Sequence, residues 1–141
     1  MANATTFPSS QYSNGYLTWP SQWSNQYNFF AYPQFDPAIL EQGEATKQPI
    51  TIGEFTSPAP NLDAPDFKGP VLYVNAEKDL TFCASNCTGL VEEGSAAFLA
   101  FNGASNIENV IIAGAGHGLN LHYSAQATYG KINDWVERHG F

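Results

Sequence analysis

His117 stands among three glycines in "GAGHGLNLH" (residues 114–122), directly after the apolar run "NVIIA" at 109–113. Glycine tolerates backbone conformations closed to other residues and lets neighbouring groups approach closely, so the pattern suits the presentation of an imidazole. A second apolar run, "PVLYVNA" at 70–76, ends in Glu77, Lys78 and Asp79. A carboxylate bonded to one ring nitrogen holds an imidazole in one tautomer and stabilises the imidazolium that forms when the other nitrogen takes a proton. Asp79 and His117 are therefore the candidate acid–base pair, one still in need of a nucleophile. Glu77 shares the same strand end, and Asp79 is also suited to capping the next turn.

The other chemistry-bearing residues form weaker patterns. Cys83 and Cys87 make a lone C-x3-C without the further ligands a zinc site requires, which leaves either a local disulfide or two free thiols. Asn86-Cys87-Thr88 and Asn3-Ala4-Thr5 fit the N-glycosylation acceptor pattern, which matters only in a secreted chain. His122 lies five residues beyond His117, a poor spacing for shared metal coordination on one helical face, and reads as a packing or surface residue. His139 is placed to interact with the end of a C-terminal helix. No cofactor and no metal are expected. The aromatics at 12–35 suit either packing or the lining of an apolar acyl or ester pocket, and packing is the simpler reading.

Elements must carry these residues. Positions 7–35 are crowded with aromatics and amides, lack alternation, and hold prolines at 8, 20 and 33, so the segment does not read as part of a sheet. In "DPAILEQGEATKQP", Asp36 as N-cap and Pro37 at the first helical position predict a helix over about 37–47. "TIGE" at 51–54 fits a capping box that opens one more turn, and "SPAPNLDAPDFKGP" reads as a proline-rich connection. The pattern changes near residue 66: a buried strand at about 70–75, a helix within "GLVEEGSAAFLAFNG", a second strand in "ENVIIAG", and a terminal helix in "LNLHYSAQATYGKINDWVERHG". In that helix Leu121, Ala125, Thr128, Tyr129, Ile132, Trp135 and Val136 share a stripe. Strand, helix, strand, helix implies parallel strands with a right-handed crossover, and parallel strands gather functional groups at their carboxyl ends. Asp79 and His117 would meet at that rim.

The chain has 141 residues, 43% of them hydrophobic, enough for one domain of ordinary size. A formal charge of −8 and the lack of any Lys/Arg cluster argue against nucleic acid and anionic membranes as partners. No apolar stretch approaches the roughly 20 residues of a membrane helix, and "MANATTFPSSQYSNG" has no basic or apolar signal regions. These features lead to the expectation of a soluble chain with no secretory signal, its localisation otherwise open.

"FKGPVLYVNAEKDLTFCASNC" together with "GAGHGLNLHYSAQATYGKINDWV" resembles the C-terminal half of the α/β-hydrolase fold, most of all a group of fungal proteins in that superfamily. In such proteins the chain order is nucleophile, acid, histidine, with the nucleophile on a strand-to-helix elbow. The resemblance implies Asp79 as triad acid and His117 as triad base. It implies a cap-like helical segment over residues 1–66, resembled by "GYLTWPSQWSNQYNFFAYPQFDPAILEQGEATKQPITIGE", and a βαβα core part over 67–141. The likeness runs from about residue 15 to the end. The elbow pattern G-x-S-x-G does not occur; "EGSAA" around Ser95 and "NGASN" around Ser105 come nearest, and neither follows a predicted strand.

The expected architecture is thus α/β, a partial α/β-hydrolase fold of two parallel strands with flanking helices behind a cap-like segment. Three readings follow. The first is a truncated or partial serine-type hydrolase, inactive alone, which meets a small-molecule substrate only when the missing half is supplied. The second is a non-catalytic binding module on a hydrolase-derived scaffold, contacting a partner through the aromatic segment. The third is a small hydrolase that uses another Ser or Asp. Two strands leave open edges, so self-association and marginal stability are expected.

Overall fold

The computed structural model describes residues 12–58 and 63–141, together with the backbone of Ala2 and Asn3. Most of the N-x-T triplet at 3–5, Pro8 and the middle of the proline-rich connection lie outside the described residues. In chain order the elements are β1 (Ala2–Asn3), β2 (Tyr16–Thr18), α1 (Gln22–Phe29), α2 (Pro37–Thr46), β3 (Ile50–Thr51) and α3 (Ile52–Thr56). Then follow β4 (Pro70–Ala76), α4 (Leu80–Cys83), α5 (Ala96–Leu99), β5 (Asn106–Ile112), a 3-10 turn over Leu119–Leu121, and α6 (Ala125–Arg138). The fold is mixed α/β, with a small parallel two-stranded sheet and flanking helices.

β4 and β5 run parallel and in register from Pro70 opposite Asn106 to Ala76 opposite Ile112, so both strands end at one rim. Their apolar runs predict this pairing, although the strands are only partly covered here: β4 is mostly half-buried and β5 exposes Asn106, Asn109 and Ile111. Ala76, Ile112 and Ala115 form one buried cluster at that rim, with Val74, Val110 and Leu119 against it.

The first half departs from expectation in one respect. Tyr16–Thr18 pairs antiparallel with Ala2–Asn3 on one side and with Ile50–Thr51 on the other, so part of this segment does belong to a sheet. Strands of two and three residues are too short to carry an alternation. α2 starts as predicted: Asp36 caps it through Ala38 N–H at 2.9 Å, and Pro37 sits in its first turn. Thr51 caps α3 through Glu54 N–H. Phe30, Phe35 and Leu40 make the second buried cluster, so these aromatics pack.

Two predicted helices are shorter than expected. Between 89 and 103 only Ala96–Leu99 is α-helical, because Gly89 and Gly94 take left-handed backbone conformations that stop a helix before it. The terminal helix begins at Ala125 rather than near 119, and Leu121 lies in the preceding 3-10 turn, outside the stripe assigned to it. The cause is His122, which is drawn inward to backbone partners instead of taking a place on the helix. No helix among the described residues is long and apolar enough to cross a membrane.

Candidate functional site

The carboxyl end of β4 continues into a turn tied to the end of β5. Glu77 N–H donates to Ile112 O at 3.0 Å and Lys78 N–H to Ala115 O at 2.8 Å. The next residue, Asp79, is buried and uses its two oxygens differently. Oδ1 accepts Phe82 N–H at 2.9 Å and caps α4. Oδ2 lies 2.8 Å from His117 Nδ1. Asp79 therefore caps the turn and contacts His117 at once. Since a carboxylate only accepts, His117 donates from Nδ1, and Nε2 is the nitrogen left to take a proton.

Glu77, the other acid of the strand end, faces elsewhere. It accepts Gly114 N–H at 2.8 Å and pairs with Lys78 Nζ at 2.8 Å. The Lys78 hydrogen bond, followed by the Gly114 amide, holds its carboxyl below the usual carboxylate range. It braces the loop that carries His117.

The glycines of that loop have distinct reasons. Gly114 turns the chain at φ +70°. At Gly116 a Cβ would fall 2.9 Å from the backbone carbon of Phe30, and at Gly118 one would fall 3.1 Å from the carbonyl oxygen of Phe29. The end of α1 lies directly on the loop; backbone atoms crowd Gly116 on three counts, while at Gly118 the nearest atom is the Leu121 side chain at 2.8 Å, so the demand for glycine is strict at Gly116 and milder at Gly118. Gly118 N–H donates to Phe29 O at 2.8 Å, and Tyr123 N–H donates to Gln34 O at 3.0 Å.

His122 completes this junction. Its Nε2 accepts both Ala31 N–H and Gly116 N–H at 3.0 Å, and its Nδ1 donates to Gly118 O at 2.8 Å. It is 4% exposed, and burial lowers its pKa below the ordinary histidine value against an opposing pull from the Gly118 carbonyl. Reading His122 as a packing or surface residue misses this role as the polar clasp between the first half and the His117 loop.

The imidazole of His117 is flanked by aromatic rings, Phe29 at 5.5 Å and Phe82 at 5.2 Å between centroids. A cavity of about 200 Å³ beside it is lined by uncharged residues, among them Val74, Leu119, Thr128, Tyr129 and Ile132. Among the described residues no side chain hydrogen-bonds Nε2. Ser95 caps α5 through Phe98 N–H at 3.2 Å. Ser105 precedes β5 at the end opposite His117, roughly 20 Å away at the rise of a strand. Among the described residues neither hydroxyl is hydrogen-bonded to this imidazole.

The acid turn is closed covalently. Cys83 and Cys87 form a disulfide, the first of the two alternatives open to the pair. Between them Ala84 and Ser85 both take left-handed conformations, at φ 49° and 68°, each costing about 1–2 kcal/mol for a residue with a Cβ. Ser85 N–H returns to Asp79 O at 2.7 Å and Cys87 N–H to Glu77 O at 3.2 Å. His139 caps the end of α6, its Nδ1 2.9 Å from Trp135 O.

The described residues contain no group of three or more His, Cys, Asp or Glu placed to hold a metal. No protein-family model and no curated protein sequence matches the chain.

Proposed function

We propose that this chain carries the acid–base part of a serine-type α/β-hydrolase site, with His117 as general base and Asp79 as the residue that orients it and stabilises its imidazolium. The observation that supports this reading is the 2.8 Å contact between Asp79 Oδ2 and His117 Nδ1, made at the paired carboxyl ends of two adjacent parallel strands. The resemblance of residues 67–87 and 114–136 to that superfamily points the same way. An acid–base pair of this kind activates water or an incoming hydroxyl, and full serine-type chemistry needs a nucleophile and oxyanion-binding amides in addition. The uncharged cavity and the flanking Phe29 and Phe82 favour a neutral ester or related carbonyl compound as substrate.

Hydrolysis of short-chain nitrophenyl esters by the wild-type chain and by His117→Ala tests the reading. A slow component lost in His117→Ala is expected, and equal rates in both would remove it.

A second reading, a binding module, is favoured by a different observation. Trp23, Tyr27 and Tyr32 are 76%, 71% and 79% exposed, so part of the aromatic segment does not pack within the chain. Retention of a partner on immobilised wild type but not on Trp23→Ala, with no His117-dependent hydrolysis, would select it.

A further inference from the structure

We infer that the Cys83–Cys87 disulfide is the positioning element for the acid–base pair, so that Asp79 is held against His117 only in the oxidised chain. The inference rests on the reading of Asp79 and His117 as an acid–base pair and adds its control.

The Asp79 carboxylate is shared between two partners, and one of them depends on the disulfide. Oδ1 is fixed by Phe82 N–H, within a helix of four residues. A single helical turn of that length does not persist unaided, since nucleation fixes several residues for one hydrogen bond. The chain then leaves the turn through two successive left-handed non-glycine residues, Ala84 and Ser85, which oppose the conformation rather than favour it. The covalent link from Cys83 to Cys87 spans these two residues and keeps them in place.

Three contacts pass this constraint to the pair. Ser85 N–H bonds Asp79 O, Cys87 N–H bonds Glu77 O, and the ring of Phe82 packs 5.2 Å from the His117 imidazole. On loss of the link, the strained pair relaxes, Phe82 N–H leaves Oδ1, and the carboxylate is free to turn to water. The β4 turn itself stays anchored through Lys78 N–H to Ala115 O, so the expected effect is local.

Cys83 is half-buried and Cys87 is 1% exposed, so of the two sulfurs Cys83 is the one open to attack by an outside thiol. A thiolate of a dithiol attacks Cys83 Sγ, the S–S bond breaks, and its electron pair leaves on Cys87 Sγ, which takes a proton. The second thiolate of the reagent then attacks the mixed disulfide, forms the cyclic disulfide and releases Cys83 as a thiol after protonation. The protein gains two electrons and two protons, and the dithiol is oxidised by the same amount. A reducing compartment would thus leave the pair uncoupled.

The test is imidazole ¹⁵N–¹H spectroscopy of the full chain, oxidised and after reduction by dithiothreitol, with complete reduction verified by alkylation and mass. The Nδ1 proton of His117 reports the bond to Asp79, and that of His122, bonded to Gly118 O, reports whether the loop carrying His117 keeps its own fold. Reduction, and separately the Cys83→Ser/Cys87→Ser variant, should abolish the His117 proton signal and leave that of His122. Persistence of the His117 signal after full reduction overturns the inference. So does joint loss of both signals with the far-ultraviolet dichroism, which would make the disulfide a general staple. If the oxidised Asp79→Asn variant keeps the wild-type His117 signal, it is the acid–base reading itself that fails.

Discussion

The carbonyl oxygen of Phe29 accepts the N–H of Gly118 at 2.8 Å, which brings the end of α1 onto the loop that carries His117. Two glycines make that approach feasible. Replacing Gly116, with a glycine inside α6 as control, should separate steric cost from propensity.

Gly116→Ala places a methyl within 3.1 Å of three backbone atoms of residues 29–31, none of which can swing aside. A loss of roughly 1–3 kcal/mol in urea unfolding is expected. Gly130→Ala is the control. Its Cβ meets nothing within 4 Å in the middle of α6, so helix propensity alone should add about 1 kcal/mol. Equal effects at both positions would contradict the packing described.

His122 predicts a pH dependence of stability. Its pKa is lowered by burial, so the unfolded chain binds the proton more readily than the folded one. Its contribution is present in full above the ordinary histidine value of about 6.5, and is lost as the pH falls below that toward the lowered folded value. Urea midpoints between pH 8 and pH 5 should fall in the wild type and fall less in His122→Gln. A parallel fall in both would show that the clasp does not titrate. Replacement by Leu, which leaves the Ala31 and Gly116 amides without their acceptor, should cost at least ~2 kcal/mol at any pH.

The forked use of Asp79 predicts that two substitutions will separate its roles. Asp79→Asn can still accept Phe82 N–H through Oδ1, but it turns an amide toward His117 Nδ1 and favours the opposite tautomer. Asp79→Ala loses the cap as well. Thermal unfolding should show the alanine variant less stable than the asparagine variant by about 1 kcal/mol, while both lose any His117-dependent ester hydrolysis. If the asparagine variant hydrolyses esters like the wild type, the carboxylate has no part in the chemistry.

Ser95→Ala should lower stability by about 0.5–1 kcal/mol through its lost cap, and Ser105→Ala should change it little. Neither should alter hydrolysis. Loss of the slow ester reaction in Ser95→Ala would reassign the nucleophile.

The parallel strands and α2 are legible in the sequence for a physical reason. An apolar run ending in polar turn residues has few alternatives, and Asp36-Pro37 states a helix start almost by itself. The meeting of Asp79 with His117 follows from strand order and register. His122 is not legible in the same way: its acceptor nitrogen serves backbone amides, one of them 91 residues away, and residue types carry no record of such partners. The signal that could have exposed it lies in Gly116 and Gly118, whose spacing marks a second backbone lying against the loop. The pairing of Tyr16–Thr18 with Ile50–Thr51 leaves no pattern either, since its two rungs are shorter than any alternation.

β4 and β5 pair only with each other among the described residues, while the chain carries a charge of −8. In solution the molecule should therefore behave as a charge-stabilised colloid. At 0.1 M salt the repulsion reaches about 10 Å, and at 1 M about 3 Å, short enough for two bare strand flanks to touch. Sedimentation in sodium chloride should accordingly move toward larger species as ionic strength rises, and an unchanged profile from about 0.1 M to about 1 M would show that charge does not keep the strand edges apart.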